Sequence, residues 1–471
     1  MLVQHFFVSG IAHSSYLLGG RKTCVIVDPA RDVEAYIEAA NALNMNISGV
    51  LETHLHADFI SGHLELAEKT GCKIYAPKSG KCEFDHTGLA EGDVLEVDDL
   101  VIKVWETPGH TPEHLCYTVV DTSRGAEASG VFCGDTLFVG DVGRPDLFPE
   151  IATGLASQLY DSLHKKLLTL PDFCEVYPAH HAGSLCGRAI GAKRTSTIGY
   201  EKRYNASLNI SSREAFIHSL TTNMPAAPDH FGRCSNTNRS GPTLLRELHG
   251  PEAVEPGVFR NMVESGGATI LDVRSYEAFG GQFIPGSYHN DIGGNFAVFS
   301  GWVVPPGPDI LLVVDNEAQA RAAIAGLRRV GLDHIAGYLN GGLFAWAIEG
   351  LPAEHVNQLS AGETHHMLTG DKEMLLLDVR SVEEYAISHI DGAYNIPAPD
   401  LRSRYRELNP DAVISVICST GRRSSLAASI LKQHRFRNVY NVAGGMTGYS
   451  AAGYGPECPV CTIPHSPRLV G

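Results

Sequence analysis

The strongest constraint on the fold of this chain is an internal repeat. ILDVRSYEAFGGQFIPGSYHN (270–290) is echoed by LLDVRSVEEYAISHIDGAYNI (376–396), and LNGGLFAW (339–346) by VAGGMTGY (442–449). Between the repeated cores the register is gapless, because Asp315 lies 103 residues before Cys418 and Gly342 lies 103 before Gly445. Each copy reads strand, helix, strand, loop, helix, strand, which is the pattern of a small parallel α/β domain of about 100 residues. Residues 250–355 and 360–455 are therefore expected to be two sister domains, followed by a Pro/Gly-rich tail, 456–471.

Ahead of the repeat, short apolar runs alternate with Gly/Pro punctuation: TCVIVDPARD, ISGVLETHLHAD, CKIYAP, LVIKVWETPGHT, GVFCGDTLF and CEVYPAHH. Each run reads as a buried strand whose end carries the polar, His- or Asp-containing residues. That arrangement suits a layered α/β domain with its site on loops at one sheet edge. The polar, turn-rich stretch between about 205 and 255 reads as a connecting segment closing a first domain at about residue 240. A length of 471 residues agrees with several cores.

The net charge of −16 argues against general affinity for nucleic acid or an anionic membrane surface. No run approaches the ~18 apolar residues that span a bilayer, and the N-terminus lacks the basic and apolar regions of a signal peptide. The 11 cysteines are scattered and odd in number, as in a reducing compartment, so the expected location is the cytoplasm. CPVC, Cys458 to Cys461, has no second pair near it and is left unassigned.

Three polar clusters carry candidate chemistry. THLHADFISGH (53–63) supplies His54, His56 and Asp58 at one strand end; TPGHT supplies His110 and FCGDTLF supplies Asp135 at two others. Three such clusters, each closing an apolar strand, point to a metal site. Arg144 in GDVGRPDLF follows the Asp135 loop and is expected either to bind a substrate carboxylate or to hold the loop. YPAHH adds His180.

THLHAD, TPGHT, GDTLF and YPAHH, in that order, resemble the metallo-β-lactamase fold, an αββα sandwich. In that superfamily a dinuclear zinc hydrolase normally follows HxHxD with another histidine; Phe59 stands there instead, and a second metal loses a ligand. The remaining set resembles that of the persulfide dioxygenases. The resemblance implies one Fe(II) per chain held by His54, His110 and Asp135, and it alone selects His54 over His56. His56, Asp58 and His180 are then expected to orient ligands or substrate.

In VICSTGRRSS (416–425), Cys418 follows a buried strand and precedes a helix, where loop N–H groups and a helix N-terminus favour a thiolate. Gly421 lets the loop wrap closely, and Arg422 and Arg423 bring positive charge to an anionic substrate. C-x-x-G-x-R, with LDVR and GG in their places, resembles the rhodanese sulfurtransferases. That resemblance implies a sulfane sulfur carried on Cys418, with Arg423 and loop N–H groups stabilising the developing anion. In the first copy Asp315, Ala318 and Ala320 replace Cys418, Gly421 and Arg423. This copy is expected to be a rhodanese-like domain without catalysis.

Together these resemblances imply a persulfide dioxygenase–rhodanese fusion. It would oxidise a low-molecular-weight thiol persulfide with O₂ to sulfite and thiol, and Cys418 would form or use thiosulfate. A zinc thioester hydrolase like glyoxalase II, fused to a sulfurtransferase, is the alternative; a degenerate binding domain is a third. The thiol carrier (glutathione, coenzyme A, bacillithiol or cysteine), the direction of sulfur flow and homo-oligomerisation are left open.

Overall fold

The computed structural model describes residues 1–210, 212–250, 252–370 and 374–455. The tail with Cys458 and Cys461 lies outside them. The chain divides into two compact units, Met1–Leu248 with Arg328–Gly331, and the remainder from His249. Among the described residues no helix is long and apolar enough to cross a membrane.

In the first unit two six-stranded sheets face each other. One runs in sequence order through Leu2–Val8, His13–Gly19, Thr23–Val27, Asn46–Leu51, Lys73–Pro77 and Thr87–Leu89. The other runs Ser196–Thr197, Glu175–Pro178, Gly130–Gly134, Leu115–Asp121, Leu100–Glu106 and Val94–Val97. Both faces of the central strands are covered, which is why they read as continuous apolar runs. Along Thr23–Val27, Val25 and Val27 enter the core between the sheets with Leu51, Ile102, Leu115 and Phe132. Cys24 and Ile26 point the other way, to the helices Glu34–Ala42 and His63–Thr70 through Tyr36, Ala40 and Leu66. The outer face of the second sheet is covered by Leu159 and Leu163 with Phe216 and Leu220. Helix, sheet, sheet and helix thus form the expected αββα layers.

The stretch read as a connecting segment is different in the structure. It forms the helices Arg213–Thr221 and His230–Ser240, preceded by Ile198–Tyr204. HFGRCSNTNRS has no apolar period that would announce a helix, and tertiary contacts override its weak propensity. The helix exists by burying His230, Phe231, Cys234 and Asn238.

The second unit holds both repeats, each a five-stranded parallel sheet with the same spatial order. The first runs Ala253–Val254, Ile335–Leu339, Asp309–Val313, Ala268–Asp272, Tyr288–His289. The second runs Asn357–Leu359, Asn438–Val442, Val413–Ile417, Met374–Asp378, Tyr394–Asn395. The repeated DVR string has a physical cause. Arg274 turns back to bind Asp272 and the Gln282 carbonyl, and Arg380 does the same with Asp378 and the Ser388 carbonyl. The two copies share one core, in which Phe279, Phe283 and Val303 pack with Ile396, Leu426 and Leu431. His289 N–H donates to Ser429 Oγ across them at 2.9 Å.

Candidate metal centre and cysteine loop

His54, His110 and Asp135 follow three different strands and meet in the buried interior. His110 Nε2 lies 3.2 Å and His54 Nε2 3.8 Å from Asp135 Oδ2. Neither Nε2 has a hydrogen-bond partner, an unfavourable state for a buried polar atom unless something fills the centre. The outer nitrogens are tied down. His110 Nδ1 donates to the Arg144 carbonyl at 2.9 Å, and His54 Nδ1 meets Thr53 Oγ1 at 2.9 Å. Thr53 Oγ1 in turn donates to Asp28 Oδ2 at 2.9 Å, so both inner nitrogens turn lone pairs toward the centre.

Electrostatics agree with a cation site. Burial, helped by His56 and His114, holds His54 well below the ordinary imidazole value, and burial also lowers His110. For Asp135, burial pushes upward, but His180 and His110 outweigh it and keep the carboxylate ionised. Two neutral imidazoles and one carboxylate, with the remaining positions open, fit a single divalent metal.

His56 is not part of this centre. Its Nε2 lies 3.2 Å from Asp28 Oδ1, in a second buried group with Glu52. Asp58 Oδ2 lies 2.8 Å from His180 Nε2, and His180 Nδ1 donates to Asp135 Oδ1 at 2.7 Å. His180 therefore joins the two carboxylates and orients Asp135; both carboxylates raise it well above the ordinary value against the effect of burial. Phe59 is fully buried, its ring 4.0 Å from His13 and 4.4 Å from His56 between centroids. An apolar ring fills that space.

Arg144, expected either to bind a substrate carboxylate or to hold the loop, is surrounded by groups of the loops. Its guanidinium binds Asp146 through Nε and Nη2, the Leu185 carbonyl through Nη1 and the Pro225 carbonyl through Nη2. It is buried and clamps loops, while its own carbonyl fixes His110.

In the second unit, Cys418 is buried at the end of Val413–Ile417. Its Sγ accepts the Gly421 N–H at 3.2 Å and the Ser424 hydroxyl at 3.3 Å. Its carbonyl accepts Met446 N–H at 2.7 Å. Gly445 permits that closeness, since a Cβ there would stand 2.2 Å from the Cys418 oxygen. This accounts for the second glycine of VAGGM.

Arg423, expected at the developing anion, is instead held by Glu384 through two contacts of 2.7 and 2.8 Å and by Ser419 Oγ at 2.9 Å. It braces the loop from within. Arg422 is the more exposed of the two, at 37% against 9%, and its Nε lies 3.5 Å from Asp291 Oδ2 of the first copy.

Several working residues were missed by sequence reading. Asp28 closes a strand just as the identified residues do, so the same signal could have found it. His114 Nε2 accepts the Asp135 N–H at 3.0 Å and sets that ligand's backbone. Asn238 carries no local signal, because its partners are distant in sequence. Glu384 closes a capping box with Ser381, an S-x-x-E signal that marks the helix start but not its distant partner Arg423.

Residues 8–180 match the metallo-beta-lactamase superfamily, and residues 255–349 and 360–452 each match the rhodanese-like domain. The chain is 36% identical over 169 residues to the hydroxyacylglutathione hydrolase of Rhodospirillum rubrum, covering 35% of this chain and 60% of that enzyme. It is 30% identical over 234 residues to the mitochondrial persulfide dioxygenase ETHE1 of Mus musculus, covering 48% of this chain and 83% of that protein. A crystal structure of a metallo-beta-lactamase from Staphylococcus aureus matches with a TM-score of 0.65 at 32% identity, over 72% of this chain and 98% of that one. With an N-terminal domain homologous to persulfide dioxygenases and two rhodanese-like domains behind it, the chain belongs to the metallo-β-lactamase superfamily in its fused, rhodanese-bearing form.

Proposed function

We propose that the chain oxidises a low-molecular-weight thiol persulfide with O₂ and handles the sulfur product at Cys418. The overall reaction is RSSH + O₂ + H₂O → RSH + HSO₃⁻ + H⁺. The observation carrying this reading is the buried pair of imidazoles and one carboxylate, beside which Phe59 withholds the nitrogen a second metal needs. Held by His54, His110 and Asp135, Fe(II) would supply an open-sided redox centre suited to a sulfur substrate and O₂.

The protein groups have separate tasks. Arg144 and Thr53 fix the imidazoles, and His180 and His114 fix Asp135, so the donor set is rigid before substrate arrives. At the second site, Gly421 N–H and the Ser424 hydroxyl stabilise negative charge on Cys418 sulfur. Sulfite attacking a Cys418 persulfide releases thiosulfate and returns the thiolate; the reverse transfer charges Cys418 from thiosulfate.

A zinc thioester hydrolase is the second reading, supported by the hydroxyacylglutathione hydrolase relatives. Oxygen uptake separates the two. Fe(II)-loaded protein given glutathione persulfide should consume O₂, as should Cys418→Ser, with sulfite accumulating in the variant and thiosulfate appearing only in the parent. Absence of uptake with glutathione, cysteine and coenzyme A persulfides despite bound iron would refute the dioxygenase reading, and zinc-dependent thioester cleavage would replace it.

A further inference from the structure

The first rhodanese copy lacks a nucleophile, yet it walls the cleft in front of the second copy's cysteine loop. That cleft is lined by Asn290, Asp291 and Gly293 from the first copy and by Thr420 and Arg422 from the second. The Tyr276 ring lies against Gly421. Gly293 N–H donates to Asp291 Oδ1 at 2.8 Å, which leaves Oδ2 turned to Arg422 Nε at 3.5 Å. The Arg422 guanidinium lies flat on Gly293, where a Cβ would stand 2.9 Å from its Cζ.

Asp291 faces Arg422, and Glu277 of the first copy lies within electrostatic reach of it. Arg423 is already matched by Glu384. The cleft mouth therefore sets the Arg422 cation against the Asp291 carboxylate, not the uniformly positive surface expected for a small dianion. A partly exposed ion pair at 3.5 Å is weak and exchangeable. A ligand carrying both charges can replace each partner's contact with its own.

We propose that the first copy is the recognition half of the Cys418 site, and that Asp291 with Arg422 selects a persulfide donor bearing both an α-ammonium and an α-carboxylate. The proposal rests on the reading of Cys418 as the sulfur acceptor. The ammonium meets Asp291 and the carboxylate meets Arg422. Cys418 thiolate then attacks the terminal sulfur: RS–SH + Cys418–S⁻ → Cys418–S–SH + RS⁻. One S–S bond forms as another breaks, the proton stays on the transferred sulfur, and the thiolate leaves with the electron pair. Of the four carriers left open by the sequence, cysteine and glutathione carry this zwitterion; coenzyme A and bacillithiol, whose cysteine carboxyl is an amide, do not.

The test uses the full chain and four donors: cysteine persulfide, 3-mercaptopropionate persulfide (no ammonium), cysteamine persulfide (no carboxylate) and thiosulfate. Persulfide on Cys418 is followed by mass spectrometry to give kcat/KM for each. The parent should prefer cysteine persulfide over both truncated donors by about fivefold or more. Asp291→Asn keeps the acceptor for Gly293 N–H; it should erase the preference over 3-mercaptopropionate and raise kcat/KM for thiosulfate about fivefold. Arg422→Gln should erase the preference over cysteamine. Equal use of the donors by the parent, or a parallel fall for all donors in Asp291→Asn, would overturn the proposal. Sulfur transfer persisting in Cys418→Ser would instead overturn the assignment of the nucleophile.

Discussion

Asn238 grips the backbone of the metal loop. Its Nδ2 donates to the carbonyls of His56 and Phe59, both at 2.8 Å, and its Oδ1 accepts the Ser61 N–H at 2.9 Å. All of these groups are buried, so the helix His230–Ser240 sets the curve of the loop that presents His54. Asn238→Ala strands two carbonyls and one N–H, at a cost of about 3 kcal/mol. The thermal transition of the first unit should fall by several degrees and metal content should drop with it. An unchanged transition with full metal content would show that the loop holds its shape unaided.

The two histidines of THLH should respond differently to truncation. His54 faces Asp135, whereas His56 faces Asp28. His54→Ala should reduce bound iron from about one per chain to near zero, while His56→Ala should retain most of it and lose stability instead. Elemental analysis after gel filtration measures this. Equal iron in both variants would place the metal elsewhere.

Phe59→His tests why one metal is expected. The ring stands beside His56 and close to His13 and His180. An imidazole there adds a nitrogen to a region that already holds Asp58, His180 and Cys186 within ligand distance of one another. Zinc bound per chain should rise from about one toward two. No rise would mean that the missing histidine is not what limits the second site.

Glu384 should matter to Cys418 without touching sulfur. Glu384→Ala leaves the Arg423 guanidinium largely buried without its two-contact partner, a loss of roughly 3–5 kcal/mol. The second unit should melt earlier and Cys418 should lose sulfurtransfer. Glu384→Gln, which keeps the shape and part of the hydrogen bonding, should recover much of the stability. A stable Glu384→Ala protein would show that Arg423 finds another partner.

Much of this molecule was legible before its structure. The six apolar runs of the first domain are strands, and composition and Gly/Pro punctuation record that directly, although Lys73, Lys103 and Glu175 within them reach solvent. The repeat announced two copies of one sheet order, and the positions lacking Cys, Gly and Arg in the first copy were visible by alignment of the chain with itself. The polar helix His230–Ser240 was not legible, since a helix made by three side-chain hydrogen bonds and a few buried groups has no periodic signature.

Which residues carry polar chemistry at each strand end was determined by sequence alone, because strand ends release side chains from the sheet at positions the pattern marks. Which of them meet was decided only in three dimensions. His54 and His56 are two residues apart, yet one turns to Asp135 and the other to Asp28. Arg422 and Arg423 are adjacent, yet one is bound inward by Glu384 and the other stands against Asp291, from a different repeat. A side chain's electrostatic partner is set by the packing of distant segments, and neighbouring residues on a turn or helix point in directions that only the surrounding fold fills.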